Sequence, residues 1–229
     1  MKVLYIYMFP LWGNGSGTWL RRLTESLKNK YPEDFEAAIV APDKRKLNFA
    51  KVYGIKPPQM GVFVGNPELP GEKKYADFTN KQMVEICNYY FSESAKAIED
   101  FKPDVIHVFH TAFLPSFTRI LSNLYKIPFI ITTHGSDLYY FKEDNRWLGT
   151  TGTASEKAKF ITANSNFTKA WYLQMFPTVS PKKTKIIPAG ISNNSDFSRD
   201  VKWIDKKYKF KHDKMVLFTG RLTVHKGVE

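Results

Sequence analysis

The chain has 229 residues, 43% of them hydrophobic and 15% aromatic, which is enough apolar material for one or two domains with sizeable cores. Its single cysteine, Cys87, excludes an internal disulfide and a cysteine-cluster zinc site, and fits a reducing compartment. The net charge of +12 favours an anionic partner: nucleic acid, an anionic membrane face or a phosphorylated small molecule. No apolar run is long enough for a transmembrane span.

The first residues predict a buried strand that turns through a glycine loop into a helix. Lys2–Phe9 is a continuous apolar run of β-formers, typical of a strand buried on both faces. Gly13 to Gly17 form the loop, after which leucines recur at helical spacing, with Ser16 or Thr18 as the expected N-cap. We interpret Met1–Trp12 as this strand and not as a signal peptide, because no small-residue cleavage site follows it.

Strands and helices alternate along the rest of the chain. Further strands are predicted at 36–41, 61–64, 104–109, 128–133, 159–163, 185–188 and 216–219. Helices are predicted from about 80 to 101, behind a Thr79/Gln82 capping box, from 113 to 125 and from 167 to 175. Apolar strands alternating with helices favour an α/β fold, a doubly wound parallel sheet with helices on both faces, in which ligands bind outside the carboxyl ends of the strands.

The loop WGNGSGTW lies at such a strand end. Its glycines let the backbone approach a ligand, and the following helix N-terminus favours an anion. The loop matches neither GxxxxGK[ST] nor a full GxGxxG. A tight structural turn is the alternative to a phosphate-binding loop. A nicotinamide enzyme would in addition use an acidic residue after the second strand, where the chain has Asp43.

Two histidines follow neighbouring strands. His110 ends DVIHVFH, His134 follows PFIITT, and Asp137 comes shortly after it. Because they lie where ligands bind, both histidines are candidates for one pocket, whereas His107 within its strand is more typical of a core residue. No carboxylate stands at metal-ligand spacing beside them, so we predict no metal site.

GRLTVHKG places Arg221 and Lys226 just past the last predicted strand. Arginine offers a fork to phosphate oxygens and lysine a compact charge, so the pair suits a diphosphate. Two solvated surface cations are the alternative on spacing alone.

Taken in order, these motifs resemble the group 1 (family 4) retaining glycosyltransferases of the two-Rossmann, GT-B type. The matching stretches cover nearly the whole chain: GNGSGTWLRRL, PDVIHVFH, PFIITTHGSDL, ITANSNFTKAW, KIIPAGIS and VLFTGRLTVHKGVE. The resemblance implies a Rossmann-like acceptor-binding domain over 1–195. It further implies a linker and the start of a donor domain over 196–229, with polar residues 192–198 at the boundary.

The resemblance also assigns roles to residues. Gly13, Gly15 and Gly17 would face the donor phosphates, Arg221 and Lys226 would neutralise the leaving diphosphate, and His134 would lie near the acceptor. The family usually reads HxH in the preceding motif; here Phe109 stands at the second histidine position and His110 follows it. We expect His110, not Phe109, to face the cleft and His110 and His134 to be the catalytic residues, with Asp137 and Tyr139 on the acceptor side. No cofactor or metal is implied beyond the nucleotide-diphosphate sugar donor.

From the resemblance we expect a chain that lacks most of the donor domain, including the family's paired glutamates, and is inactive alone. The cut-off strand 216–219 would then seek a partner, which favours a homodimer through this tail. The expected partners are a sugar nucleotide and a sugar or lipid-linked acceptor, in a cytoplasmic protein with peripheral contact to an anionic membrane. Nucleic-acid binding is disfavoured because no recognition motif is present. Another Rossmann-like nucleotide-binding domain, NAD-dependent or phosphate-binding, is the alternative function.

Overall fold

A seven-stranded, wholly parallel sheet forms the centre of the first of two units in the computed structural model. The structure describes residues 1–65, 72–190, 202–209, 216–220 and 227. The first unit comprises residues 1–65 and 72–189, and the second comprises 66–71 and 190–229. The predicted domain boundary at residue 195 lies outside the described residues.

The elements of the first unit alternate as the sequence predicts. Its strands are β1 (Lys2–Tyr7), β2 (Glu36–Ala41), β3 (Lys51–Gly54), β4 (Val105–Phe109), β5 (Phe129–Thr133), β6 (Phe160–Ala163) and β7 (Thr184–Ile186). Its helices are α1 (Gly15–Lys30), α2 (Asn80–Phe101), α3 (Leu114–Tyr125), α4 (Ser136–Glu143), α5 (Leu148–Lys157) and α6 (Asn166–Met175). None of the helices in the described ranges combines the length and apolar character needed to cross a membrane.

The strand order is β3-β2-β1-β4-β5-β6-β7. The chain first winds outward from β1 to β3 and then returns to place β4 on the other side of β1. The order therefore reverses between β1 and β4, and in open α/β sheets this switch point is where the loops part to leave a crevice. The fold confirms the predicted doubly wound sheet and locates its crevice between the glycine loop and the end of β4.

Both faces of the sheet are buried, since successive side chains of β1 enter two separate cores. Leu4 and Ile6 pack with the helices that follow β3, whereas Val3, Tyr5 and Tyr7 pack with α1. This is why the strand is a continuous apolar run instead of an alternating one.

Helix ends follow the expected chemistry with one correction. Thr79 and Gln82 form the predicted capping box at the start of α2. The cap of α1, however, is Asn14 and neither Ser16 nor Thr18: its side chain accepts a hydrogen bond from the Gly17 N–H. Asn14 is the cap because it is the residue with extended backbone immediately before the first helical turn.

In the first unit, several elements differ from the sequence predictions. Residues 61–64 form no strand; Val62 makes an isolated bridge to Lys74, and Phe63 and Val64 are buried in loop conformation. The third strand is instead Lys51–Gly54, a short half-exposed edge strand whose polar composition gave no apolar signal. Helices α4 and α5 were not predicted, because both carry weakly periodic sequences rich in tyrosine, threonine and glycine.

The second unit contributes one described helix, α7 (Lys202–Tyr208). The predicted strand at Val216–Thr219 is not a strand: these residues have no regular structure, and Val216 is 98% exposed. A strand needs a hydrogen-bonding neighbour, and no described strand pairs with this segment. The predicted homodimer through it stays a prediction.

A buried ion pair clamps the chain after α4. Arg146 donates to both carboxylate oxygens of Asp144, at 2.9 and 2.8 Å, and to the carbonyl oxygens of Phe78 and Tyr75. The Asp144 side chain is 4% exposed and also accepts a hydrogen bond from Tyr140. One guanidinium thus joins the α4–α5 connection to the start of α2.

Replacing Arg146 by Met should lower the free energy of unfolding by about 2–4 kcal/mol, because a buried carboxylate and two carbonyl groups lose their donor. Lys96→Met is the matched control. Lys96 pairs with Glu93 on an exposed helix surface, with its side chain 71% exposed, so its loss should change the stability far less than the loss of Arg146. Urea denaturation measures both, and equal losses would contradict the clamp.

Candidate functional site

The loop between β1 and α1 is organised around the side chain of Asn14. Its Oδ1 accepts hydrogen bonds from the Gly17 N–H at 2.7 Å and the Tyr7 hydroxyl at 2.6 Å. Its Nδ2 donates to the Pro10 carbonyl oxygen at 2.7 Å. One amide therefore caps the helix, closes the loop and connects it to the end of β1.

The three glycines predicted to face phosphate differ in their surroundings. A Cβ at Gly17 would lie 2.7 Å from the Leu11 carbonyl oxygen and 3.0 Å from that of Pro10, so this glycine is required for packing. Gly13 and Gly15 have open space at the Cβ position, and Gly13 has a φ of +83°. The side of the loop that is free to receive a ligand is thus at Gly13 and Gly15.

The structure brings His110 and His134 together. Their ring centroids lie 4.5 Å apart at the carboxyl ends of β4 and β5, and the Tyr7 ring stacks on His110 at 5.5 Å. His110 has a φ of +87°, which is unusual for a residue with a side chain and turns it at the strand end. Phe109 is fully buried and packs in the α1-side core with Tyr5 and Tyr7.

Unpaired polar atoms collect at this edge. His110 Nδ1, His134 Nε2, Thr111 Oγ1 and Asn164 Oδ1 are all buried without a hydrogen-bond partner. They follow β4, β5 and β6, three neighbouring strands. Buried polar atoms are nearly always hydrogen-bonded, so four orphans at one edge mark a place where water or a polar ligand would supply the missing partners.

Both histidines of the pair are neutral at physiological pH. Burial lowers the pKa of His110 to about 3. Burial, followed by repulsion from His110, lowers the pKa of His134 to about 3 as well. Neutral imidazoles donate and accept hydrogen bonds, which suits the hydroxyl groups of a sugar.

Burial also lowers the pKa of His107 to about 3. Its Nε2 lies 2.7 Å from Thr132 Oγ1, and that hydroxyl is 2.6 Å from Thr162 Oγ1. His107 therefore belongs to a satisfied polar ladder across β4, β5 and β6, the core role that its position within the strand predicts.

Asp137 lies beneath the site and does not reach its surface. Its fully buried carboxylate accepts hydrogen bonds from the backbone N–H groups of Thr111, His134 and Gly135, at 2.7, 3.0 and 2.7 Å. It also accepts from the Leu138 N–H. This geometry supports a positioning role for Asp137, which holds the two loops that carry the histidines. The carboxylate has no exposed atom with which to make the expected contact to an acceptor. Tyr139 is half-buried, and the Lys142 ammonium lies 5.5 Å from its ring.

Asp43, the residue expected to bind a ribose in a nicotinamide enzyme, is 7% exposed. Its oxygens accept hydrogen bonds from the Leu11 N–H and from the backbone and side chain of Arg45. A carboxylate occupied by these donors is not directed towards a ribose, so the geometry does not favour the nicotinamide alternative.

The predicted donor cations Arg221 and Lys226 lie outside the described residues. Within the described ranges, no group of three His, Cys, Asp or Glu side chains is placed to hold a metal ion. The expectation that no metal or cofactor is needed stays a prediction.

Sequence reasoning missed several residues that shape the site. Asn14 could have been found, because asparagine before a glycine is a strong N-cap signal. Tyr7 is hidden in an apolar strand, and the aromatic wall around His110, formed by Phe9 and Phe63 at 5.1 and 5.2 Å, joins segments far apart in the chain. No local pattern predicts such contacts.

A family match covers most of the chain. The family model described as Glycosyltransferase Family 4 matches residues 13–194, most of the chain. No curated protein sequence matches the chain.

Solved structures with the same fold include Anabaena HepE in complex with UDP and glucose, with a TM-score of 0.60 and 13% identity over 91% of this chain and 50% of that one. Sucrose-phosphate synthase from Thermosynechococcus elongatus gives a TM-score of 0.54 at 16% identity, over 83% of this chain and 48% of that one. UDP-GlcNAc 2-epimerase from Neisseria meningitidis gives a TM-score of 0.51 at 15% identity, over 81% of this chain and 45% of that one. The chain spans about half the length of these proteins.

Gly17→Ala should destabilise the protein by about 1–3 kcal/mol, because the new methyl group meets backbone atoms that cannot move independently. Gly15→Ala is its matched partner in the same helix turn. It meets no atom within 4 Å, so we expect unchanged or slightly raised stability. Thermal melts of both variants test this, and a Gly15→Ala loss as large as that of Gly17→Ala would contradict the assignment.

Stability should fall as the pH drops below about 6.5. The unfolded histidines then take up protons that the folded ones, with pKa values of about 3, do not bind. The loss at pH 5.5 is on the order of 1 kcal/mol for each buried histidine. His110→Asn tolerates the positive φ and removes one titrating group, so its unfolding free energy should change less between pH 7.5 and 5.5. Identical pH slopes in urea titrations would refute the assignment.

Proposed function

Because the chain belongs to glycosyltransferase family 4, we propose that it forms the acceptor-side half of an enzyme that transfers a sugar from a nucleotide-diphosphate donor with retention of anomeric configuration. The observation that carries this proposal is the pair of neutral, unsatisfied histidines at the carboxyl ends of β4 and β5, beside the switch point between β1 and β4. A sugar at this point would find both hydrogen-bonding partners and a helix N-terminus.

The two histidines are proposed to bind sugar hydroxyl groups. With pKa values of about 3 they are weak bases, so neither is suited to remove a proton from the acceptor at neutral pH. The departing diphosphate is the proposed base, since it gains charge as the bond to the sugar breaks. The site is walled by Phe9, Phe63 and Tyr7, and hydrogen bonds are stronger in such an apolar surrounding.

The donor diphosphate is proposed to lie against the open face of the loop. Gly13 and Gly15 leave room for phosphate oxygens, and the N-terminal N–H groups of α1 favour negative charge. Arg221 and Lys226 are proposed to neutralise the leaving group, as the resemblance implies. UDP, UDP-glucose and glucose are bound in the related Anabaena structures, which makes UDP-glucose the first donor to test.

The test is calorimetric titration of the protein with UDP-glucose, GDP-mannose and NAD. We expect a sugar nucleotide to bind more tightly than NAD. Gly15→Ala should weaken that binding by about tenfold without loss of stability, because its methyl group enters the space proposed for phosphate. Gly149→Ala, another glycine with open space at its Cβ, is the control and should bind normally.

Preferential NAD binding would overturn the proposal in favour of the dehydrogenase-like alternative. Incubation of an active enzyme with its donor and acceptor, followed by NMR of the anomeric proton, reads out the stereochemistry. A product of inverted configuration would refute retention, and an epimerised sugar nucleotide without transfer would refute the transferase assignment.

A further inference from the structure

Two arginines from different parts of the chain meet on one indole ring beside the glycine loop. The Cζ of Arg21, on α1, lies 4.4 Å from the Trp12 ring centroid, and the Cζ of Arg45, after β2, lies 3.9 Å from it. Contact with an indole face stabilises each cation, but it also holds two like charges close together. Such a pair needs a compensating negative charge.

Each guanidinium is anchored along one edge. Arg45 donates from Nε and Nη2 to Asp43, at 3.0 and 2.9 Å. Arg21 donates from Nε to the Leu11 carbonyl oxygen at 2.9 Å and weakly from Nη2 to Thr18. Within the described part of the chain, no hydrogen bond engages the Nη1 of either arginine. Both groups are thus fixed in place with donors left over.

The charge around the ring is not balanced. Among the residues that the structure describes, Asp43 is the one carboxylate hydrogen-bonded to the pair, and Glu25 is another acid that acts on Arg21. Arg22 follows Arg21, and Lys44 and Lys46 flank Arg45, all three exposed. Burial, together with repulsion from Arg45 and Arg22, lowers the pKa of Arg21, as expected where cations crowd one another.

The arginine pair shares an edge of the sheet with the histidine pair. Trp12 and Asp43 follow β1 and β2, and the histidines follow β4 and β5, in the order β2-β1-β4-β5. With strands about 4.8 Å apart, the midpoints of the two strand pairs that carry these residues are roughly 10 Å apart. A sugar whose hydroxyl reaches the histidines would carry a phosphate substituent towards the arginines.

We propose that Arg21 and Arg45, held on Trp12, form a subsite for the phosphate or diphosphate group of an anionic sugar acceptor. This rests on the proposed function and extends it, since it names the chemical class of the acceptor. The shared chemistry is a phosphate ester, whether carried by a soluble sugar phosphate or by a lipid headgroup. Arginine is suited to it because its planar fork matches phosphate oxygens.

The first experiment titrates the protein with inorganic phosphate and glucose 1-phosphate, without any sugar nucleotide, while NMR follows the indole N–H signals. The Trp12 signal is identified by its absence in Trp12→Phe. We expect it to shift saturably. Arg21→Gln and Arg45→Gln should each weaken binding by about tenfold, the effect of losing a charged hydrogen bond. Arg22→Gln removes the same charge next to Arg21 but off the ring, and should weaken binding less than about twofold.

Two further arms keep the test decisive. Arg45→Lys keeps the charge beside Asp43 but loses the fork, so it should melt near the wild-type temperature and still bind phosphate weakly. Sedimentation with phosphatidylcholine vesicles, with and without phosphatidylglycerol, distinguishes the sources. Capture by anionic vesicles that depends on Arg21 and Arg45 assigns a lipid-borne phosphate, and glucose 1-phosphate binding without capture assigns a soluble one.

Absence of a saturable Trp12 shift, or equal losses in all three glutamine variants, would overturn the subsite. Because no sugar nucleotide is present, that outcome leaves donor binding untouched. Conversely, failure of UDP-glucose and GDP-mannose to bind would refute the proposed contact of the donor diphosphate with the glycine loop while leaving the anion site measurable.

Discussion

The site depends on one buried carboxylate. Asp137 accepts backbone hydrogen bonds from Thr111, which follows β4, and from His134 and Gly135, which follow β5. The carboxylate therefore accepts from N–H groups of the two loops that follow the paired strands β4 and β5. The strand pairing contributes as well, since the His110 N–H donates to the Thr132 carbonyl oxygen at 2.9 Å. Together these contacts place the rings of His110 and His134 4.5 Å from each other. Without the carboxylate, the N–H groups of both loops would need other partners.

The sheet edge has an uncharged part, at the histidines, and a charged part, at the arginines. The histidines are enclosed by aromatic rings and kept uncharged, so they are suited to hydroxyl groups. The arginines beside the loop remain charged and partly exposed, and suit phosphate. A charge placed among the aromatic rings would be costly to desolvate, whereas at the rim it keeps part of its water. Burial alone thus divides one sheet edge into an uncharged part lined by aromatic rings and a charged, partly exposed part.

Tyr7 connects the glycine loop with the histidine pair. Its hydroxyl donates to Asn14 in the glycine loop, and its ring stacks on His110. The loop that would face a donor phosphate and the histidine that would face a sugar are therefore supported by the same side chain. A site carried on a strand end in this way is held more rigidly than one built only from loops.

The sequence by itself determined the fold class and the edge at which to look. Apolar strands alternating with capped helices require a parallel sheet buried on both faces, and loops following such strands must meet at one edge. It also identified His110 and His134 as neighbours, since strands PDVIHVF and PFIITT are consecutive. Elements with weak periodicity escaped it: the edge strand Lys51–Gly54 and helices α4 and α5 are held by tertiary contacts more than by their own pattern.

Only the tertiary structure decided what each residue does at that edge. It buried Asp137 and Asp43, made Asn14 the cap, turned His110 through a positive φ and gathered Trp12, Arg21 and Arg45. The physical reason is that burial, orientation and charge pairing arise between segments distant in the chain. Local periodicity specifies which face of an element is apolar, but it does not specify which polar atoms are left without a partner once the faces have met.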